Sequence, residues 1–378
     1  MKSASLIIAS SESDSNLYYA CRFLVPDPVI YFEIAGKKHL VLSDLELDRA
    51  RLQASVHRFH SLAGFSKKIR ARRDRKSHPV YAMIVDEIFK ENRVKKITVP
   101  SNFPSQYFVS LKKMGYQLTV KPDPFYEARL VKSIEEKNYV RQSLACVEKA
   151  LGDAVVLLQK SKIKGKHVYY GREKVTSEML RGIINTRLME LGCVATHTIV
   201  ASGVQGSYPH HEGSGPILAH TPIIFDIFPR HSHTLYWGDM TRTMVKGKPS
   251  PTVQKMFQAV LKANRVGQAM VAPGVTGAAI HQTTSQTMEK MGFKTGKIDG
   301  SVQGFIHGTG HGVGLDIHEL PSVSPAGGPL KPGHIITIEP GLYYRKHGGV
   351  RLEDVLFVTK KGAERLTHFP TFLEIDKS

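Results

Sequence analysis

Apolar positions beyond the first third of the chain recur at helical spacing. From Glu135 they fall at Val140, Leu144, Val147, Leu151, Val155 and Leu158, steps of three or four that mark one buried face. Glu135 and Glu136 in the first turn suit the positive end of the helix dipole. A second helix is expected over 177–191, closed by Gly192, since glycine takes the left-handed turn at a helix end without strain. The theme then repeats. A helical pattern over 251–271 stops at Pro273-Gly274, and another over 278–291 stops at Gly292. Leu188-Met189-Glu190-Leu191-Gly192 is echoed by Met288-Glu289-Lys290-Met291-Gly292. Two apolar runs also echo each other, Pro222 to Asp226 and His334 to Glu339, each ending on a carboxylate. A second acid follows each one, Asp239 thirteen residues after Asp226 and Glu353 fourteen after Glu339. Recurrence of acids as well as apolar residues implies a duplicated α/β unit, each half giving two helices and a hairpin with two acids.

The first third alternates in shorter pieces. Strands are expected at 29–34 and 39–42, turned at Gly36-Lys37-Lys38, with helical character over 48–62. A strand at 97–100, a helix at 105–114 and a strand at 117–121 follow. Pro122-Asp123-Pro124 breaks any element, so a domain boundary falls between Pro122 and Lys132. The expected organisation is a smaller mixed α/β domain over 1–130 and a larger α/β domain over 131–378.

Composition bounds the class. Apolar residues make up 41% and charged residues 22% of 378, values that exclude wholesale disorder. Three scattered cysteines, Cys21, Cys146 and Cys193, form neither a disulfide framework nor a CxxC metal pair, so they read as small buried residues of a cytoplasmic protein. The N-terminal run through Ala9 is too short for a signal segment, and no apolar stretch is long enough for a membrane span. The net charge of +19 raises the question of nucleic-acid binding. Much of it sits between Arg49 and Lys76, where ten basic residues face one acid, Asp74. A solvated face is the ordinary explanation of such a run, with nucleic-acid contact as the alternative.

The acids carry the chemistry. Asp226 and Glu339 end apolar runs, so both point from core strands into a cleft, where carboxylates are costly unless paired or metal-bound. With Asp239 and Glu353 they make a cluster of four like charges that divalent cations would neutralise. The block from His307 to Glu319 interleaves three histidines with four glycines. That much glycine excludes a zinc-protease helix and indicates backbone in close approach to a neighbour. His311, at its centre, is the candidate imidazole ligand.

These motifs resemble the pita-bread metallopeptidases, the family of methionine aminopeptidase, aminopeptidase P and prolidase. The matching residues are Ser202-Gly203, Pro209-His210, Gly238-Asp239-Met240-Thr241-Arg242-Thr243, the His307–His318 block, Ile338-Glu339-Pro340-Gly341-Leu342-Tyr343 and Val350-Arg351-Leu352-Glu353-Asp354, in the family's order. The resemblance implies a pseudo-duplicated pita-bread catalytic domain behind a smaller N-terminal domain of the creatinase and prolidase type. It implies that Asp226, Asp239, His311, Glu339 and Glu353 bind two metal ions, with Asp239 and Glu353 bridging. Oxygen-rich ligation with one imidazole favours Mn²⁺, with Co²⁺, Fe²⁺ or Zn²⁺ as alternatives. A metal-bridging hydroxide would attack the scissile carbonyl. Glu339 would act as base and proton shuttle, with His318 and His210 stabilising the intermediate and His307 lining the subsite beyond the cleaved bond. A homodimer is also implied.

An N-terminal domain, Asn16-Leu17-Tyr18-Tyr19, Val41-Leu42-Ser43-Asp44 and the set His210, His307 and His318 are similar to the proline-directed branch. The Xaa-Pro amide has no N–H, so it needs a dedicated pocket. The expected substrate is a proline-containing peptide, cut by an Xaa-Pro aminopeptidase, with Xaa-Pro dipeptidase (prolidase) as the alternative. Arg351 would either hold a dipeptide's carboxylate or neutralise the site. Several features depart from the family pattern, among them His211 where an aromatic is common and Trp237 before Gly238. Asp226-Ile227-Phe228-Pro229 replaces Asp-x-Gly, and extra length at Arg230–Thr234 forms a hairpin tip whose His231 and His233 are expected to be exposed. Some relatives of this fold have lost their ligands and act as non-enzymatic binding proteins, and creatinase lacks the dinuclear centre, but here all five ligand positions are filled.

Overall fold

The structure, a computed structural model, describes residues 2–70 and 77–377. It forms two compact units, Met1–Arg129 and Leu130–Ser378.

The first unit is built on a six-stranded sheet in the order Arg58–Ser61, Lys37–Leu42, Val29–Ile34, Lys2–Ala9, Val94–Pro100 and Gln117–Lys121. Alternate side chains leave opposite faces of a strand, and here both faces are covered. Leu6, Ile8, Ile30 and Phe32 pack into one core, while Ile7, Val29 and Tyr31 pack into another. Two sequence expectations need correction. The apolar run after Lys2, weighed only as a leader, is the strand Lys2–Ala9 in the middle of the sheet. The helix expected over 48–62 ends at Gln53, and Arg58–Ser61 instead adds in parallel to Lys37–Leu42, with His39 opposite Arg58. A sheet edge drawn from elsewhere in the chain outweighs local helical preference. In the basic segment, Leu62–Arg70 is helical, while Arg72, Arg73, Asp74, Arg75 and Lys76 lie outside the described residues.

The second unit repeats one plan. Helix Ile134–Lys160 starts at a capping box in which Ser133 and Glu136 satisfy each other's backbone N–H. Helix Ser177–Glu190 is capped by Thr176, and helix Gly277–Lys290 by Thr276. Gly192 and Gly292 both follow in the left-handed region, at φ 78° and 93°. Leu180, Ile184 and Leu188 are buried in the first helix, and Ile280, Thr284 and Met288 in the second. Helix Pro251–Met270 packs against Gly277–Lys290, as Ile134–Lys160 packs against Ser177–Glu190.

Each half contributes a sheet. One holds Ile199–Ser202, Ile223–Ile227 and Met240–Met244, and the other runs Glu319–Val323, Gly310–Gly312, Ile335–Ile338, Asp354–Val358, Ala363–Arg365. Arg242, 1% exposed, joins them. Its Nη2 pairs with Asp354 Oδ1 at 2.8 Å, and its Nη1 donates to the carbonyls of Thr241 and Glu353. Gln268 and Thr367 donate to the same Asp354 carboxylate, which leaves it well satisfied for a buried charge. No helix among the described residues is long and apolar enough to cross a membrane. All three cysteines are buried and free.

Candidate metal centre

Strand register sets the first pair of groups. Asp226 lies opposite Thr241 across the antiparallel strands Ile223–Ile227 and Met240–Met244, so their side chains share a face. Thr241 Oγ1 stands 3.0 Å from Asp226 Oδ1 and 2.9 Å from Glu353 Oε2. It has one proton, so it donates to one carboxylate at a time. Glu353 comes from the other half, its backbone N–H donating to Thr241 O at 3.0 Å. Asp239, 4% exposed, immediately precedes the Met240–Met244 strand.

His311 rides on Gly310–Gly312, where the glycines are obligatory. A Cβ on Gly310 would lie 1.9 Å from Thr337 O, and one on Gly312 would lie 2.4 Å from Leu320 O. The close approach expected of the His/Gly block is therefore a three-strand packing that fixes the imidazole. His311 N donates to Thr337 Oγ1, and its Nδ1 lies 3.1 Å from Gly312 O, which turns Nε2 to the acids. Among the described residues, Asp239, His311 and Glu353 form the one group of acids and imidazoles whose ligand atoms all lie within 4.8 Å of one another. Glu339 closes from the end of Ile335–Ile338, its Oε1 3.5 Å from His311 Nε2. Asp226 is turned onto Arg351, with 2.6 Å between Asp226 Oδ2 and Arg351 Nη2.

Burial and like charge act together here. Burial first, then Glu353, Asp226 and Glu339, pushes the Asp239 carboxyl well above the usual carboxylate range. Glu353 is pushed the same way by burial, Glu339 and Asp226. Glu339 is pushed up to about 8, chiefly by burial, with Arg351 opposing and Asp226 adding to the rise. His311 is lowered to about 4 by burial and by His318, which leaves it neutral and able to offer a lone pair. Glu353 Oε1 is buried with no hydrogen-bond partner. An orphaned carboxylate oxygen beside other acids and a neutral imidazole is the donor set a divalent cation requires, so these residues fit a metal centre.

The other expected site residues surround this group. The His318 ring stands edge-on to His311, with centroids 4.4 Å apart. His307 Nε2 is 2.8 Å from Tyr343 OH, which also accepts from Arg351 Nη1 at 2.8 Å. His307 is lowered to about 3 by burial and by Arg351. His210 is exposed, and it is among the neighbours that lower the proton affinity of His307 and His318. Arg351, 3% exposed, spends its guanidinium on Asp226, Thr241 and Tyr343.

Sequence reasoning assigned no role to Thr241, Tyr343 or Thr337, although the first two sit inside quoted motifs. Polar residues within a few positions of the candidate acids, in otherwise apolar strands, were the available signal. His231 corrects another expectation. It is 5% exposed rather than free in solvent, because Arg230–His231 pairs with Cys193–Val194. Its Nε2 lies 3.0 Å from Gln142, and its Nδ1 accepts from the backbone of His233 and Thr234. His231 therefore shapes the hairpin tip; His233 is exposed as expected.

The model of metallopeptidase family M24 matches residues 139–360. The chain belongs to this family. It is 28% identical over 288 residues to an Xaa-Pro dipeptidase of Pyrococcus horikoshii, covering 75% of this chain and 76% of that one. Among solved structures, the prolidase from Pyrococcus horikoshii OT3 superposes with a TM-score of 0.79 at 24% identity, covering 98% of this chain and 95% of the other. An X-Pro aminopeptidase from Thermotoga maritima gives 0.80 at 20% identity, covering 99% and 97%. The fold is thus the pita-bread arrangement with an N-terminal domain, and the chain is a metal-dependent hydrolase of peptide bonds.

Proposed function

We propose that the chain is an Xaa-Pro dipeptidase (prolidase) whose centre holds two divalent ions, Mn²⁺ first. What carries the metal centre is the convergence of Asp239, His311 and Glu353 within 4.8 Å around an unpartnered Glu353 oxygen. What favours the dipeptidase is the Xaa-Pro dipeptidase likeness over three quarters of the chain. This reverses the sequence preference for an Xaa-Pro aminopeptidase, since the motifs are common to both branches while the overall likeness is not limited to motifs.

Asp226, Asp239, His311, Glu339 and Glu353 would hold the metals, with Asp239 and Glu353 shared between them. When bound, such ions supply Lewis acidity and water activation at neutral pH. Glu339, at the end of its strand beside His311, would accept a proton at Oε and return it to the departing proline nitrogen. His318, packed on His311, donates towards the oxygen on which charge develops, and His210 assists from the exposed side. His307, held through Tyr343, lines the subsite for the proline. Arg351 fits the neutralising role, because its donors are already committed to Asp226, Thr241 and Tyr343. The chain is further proposed to act as a cytoplasmic homodimer.

The test is direct. Protein stripped with chelator and reloaded with Mn²⁺ is offered Xaa-Pro dipeptides and Xaa-Pro-Yaa tripeptides. Cleavage of the dipeptides alone is expected. Cleavage of tripeptides as well would restore the aminopeptidase, and cleavage of neither would overturn the proline-directed reading.

A further inference from the structure

The segment from Val313 to His318 leaves the His311 strand and returns in the strand Glu319–Val323. His318 is the last residue before that strand. Consecutive residues of extended chain point to opposite sides, so whatever holds Glu319 also sets the direction of His318. Glu319 Oε1 is held by Lys132 Nζ, with only 10% and 2% of the two side chains exposed. Lys132 is itself fixed. Its backbone N–H donates to Gly333 O at 2.7 Å, and the capping box of the long Ile134–Lys160 helix begins at the next residue.

The loop between them is shaped to receive the pair. A Cβ on Gly314 would fall 2.5 Å from Glu319 Oε1 and 3.0 Å from Lys132 Cε. Gly314 O accepts from Trp237 N at 2.9 Å, and Trp237 Nε1 donates to Leu315 O at 3.0 Å. Trp237 is two residues before Asp239, so the same contacts join the His318 loop to the acid cluster.

A buried ion pair adds little net stability, because desolvation offsets its attraction and apolar replacements often serve as well. In some proteins such a pair serves instead to fix a geometry. We infer that Lys132 and Glu319 are positioning residues that aim the His318 imidazole at the metal centre. The inference rests on the role given to His318 above.

The experiment is a kinetic double-mutant cycle. Lys132→Met/Glu319→Leu removes both charges together, and Glu319→Gln keeps the shape while removing one. Each is made with His318 intact and with His318→Ala, and all are assayed as Mn²⁺-loaded enzyme on an Xaa-Pro dipeptide. With His318 present, kcat is expected to fall by about 10- to 100-fold, the scale of a misplaced catalytic group, with KM changing less than kcat. In the His318→Ala background the same changes should cost nothing further. Equal losses in both backgrounds would overturn the inference. A second measurement does not depend on activity. The His318 ring resonance of the metal-free protein, assigned by its loss in His318→Ala, should shift in both variants. An unmoved resonance would overturn positioning even if wild-type protein cleaves no Xaa-Pro peptide, a result that would count against the proposed function alone.

Discussion

Replacing Asp239 by Asn should stabilise the protein without metal and weaken it with metal. Oxygens of Asp239 and Glu353 lie within 4.8 Å of each other. Two unit charges at that separation repel by about 3.5 kcal/mol at an effective dielectric of ~20. Both groups relieve part of this by binding protons, as their raised carboxyl affinities imply. A domain this large shifts by about 2–4 °C in Tm per kcal/mol. Metal-free Asp239→Asn should therefore melt ~2–10 °C above wild type at pH 7. A carboxyl whose proton affinity is raised by folding lends stability that is fully present below its unfolded value and lost as pH rises through the folded one. The advantage of Asn should accordingly vanish near pH 4 and grow towards pH 8. Mn²⁺ reverses the order. A ligand at a hundred times its Kd adds about 2.7 kcal/mol to wild type, whereas the variant, without the Asp239 carboxylate proposed to be shared between the ions, should gain less. Scanning calorimetry in chelator and in Mn²⁺, at several pH values, measures all of this. A variant less stable than wild type in chelator at pH 7 would show that Asp239 and Glu353 do not repel as described, and one that gains as much from Mn²⁺ would show that Asp239 is not shared between the ions.

Other consequences are as specific. Arg242→Met leaves Asp354 charged and buried, so denaturant unfolding should show a loss of about 3–5 kcal/mol. Gly310→Ala forces a Cβ to within 1.9 Å of Thr337 O; metal analysis should show impaired Mn²⁺ binding, because the strand carrying His311 must move. His334, lowered to about 4 by burial and by Lys132 and Lys331, is neutral in the folded state. Its depressed affinity means stability present above about pH 6.5 and lost as pH falls towards 4. His334→Asn should flatten that part of the denaturant-midpoint profile.

Local rules, legible along the chain, govern part of the fold. Thr176 and Thr276 cap their helices, Gly192 and Gly292 end them, and Ile223–Ile227 and Ile335–Ile338 are apolar enough to be core strands whatever surrounds them. Acids at the ends of such strands were legible because charge in an apolar run demands a reason. The tertiary structure decided everything that depends on which distant segments meet. Only strand pairing makes Arg58–Ser61 a strand, since its partner is Lys37–Leu42. Only the meeting of the two half-sheets gives Thr241 both Asp226 and Glu353. His231 read as a surface histidine because its cover, Gln142 and Cys193–Val194, lies far away in sequence. Nothing in the residues around Lys132 signals that folding buries it against Glu319. Periodicity and caps act over a few residues and can be read along the chain, whereas partners for buried charges are chosen by packing, which the order of residues does not display.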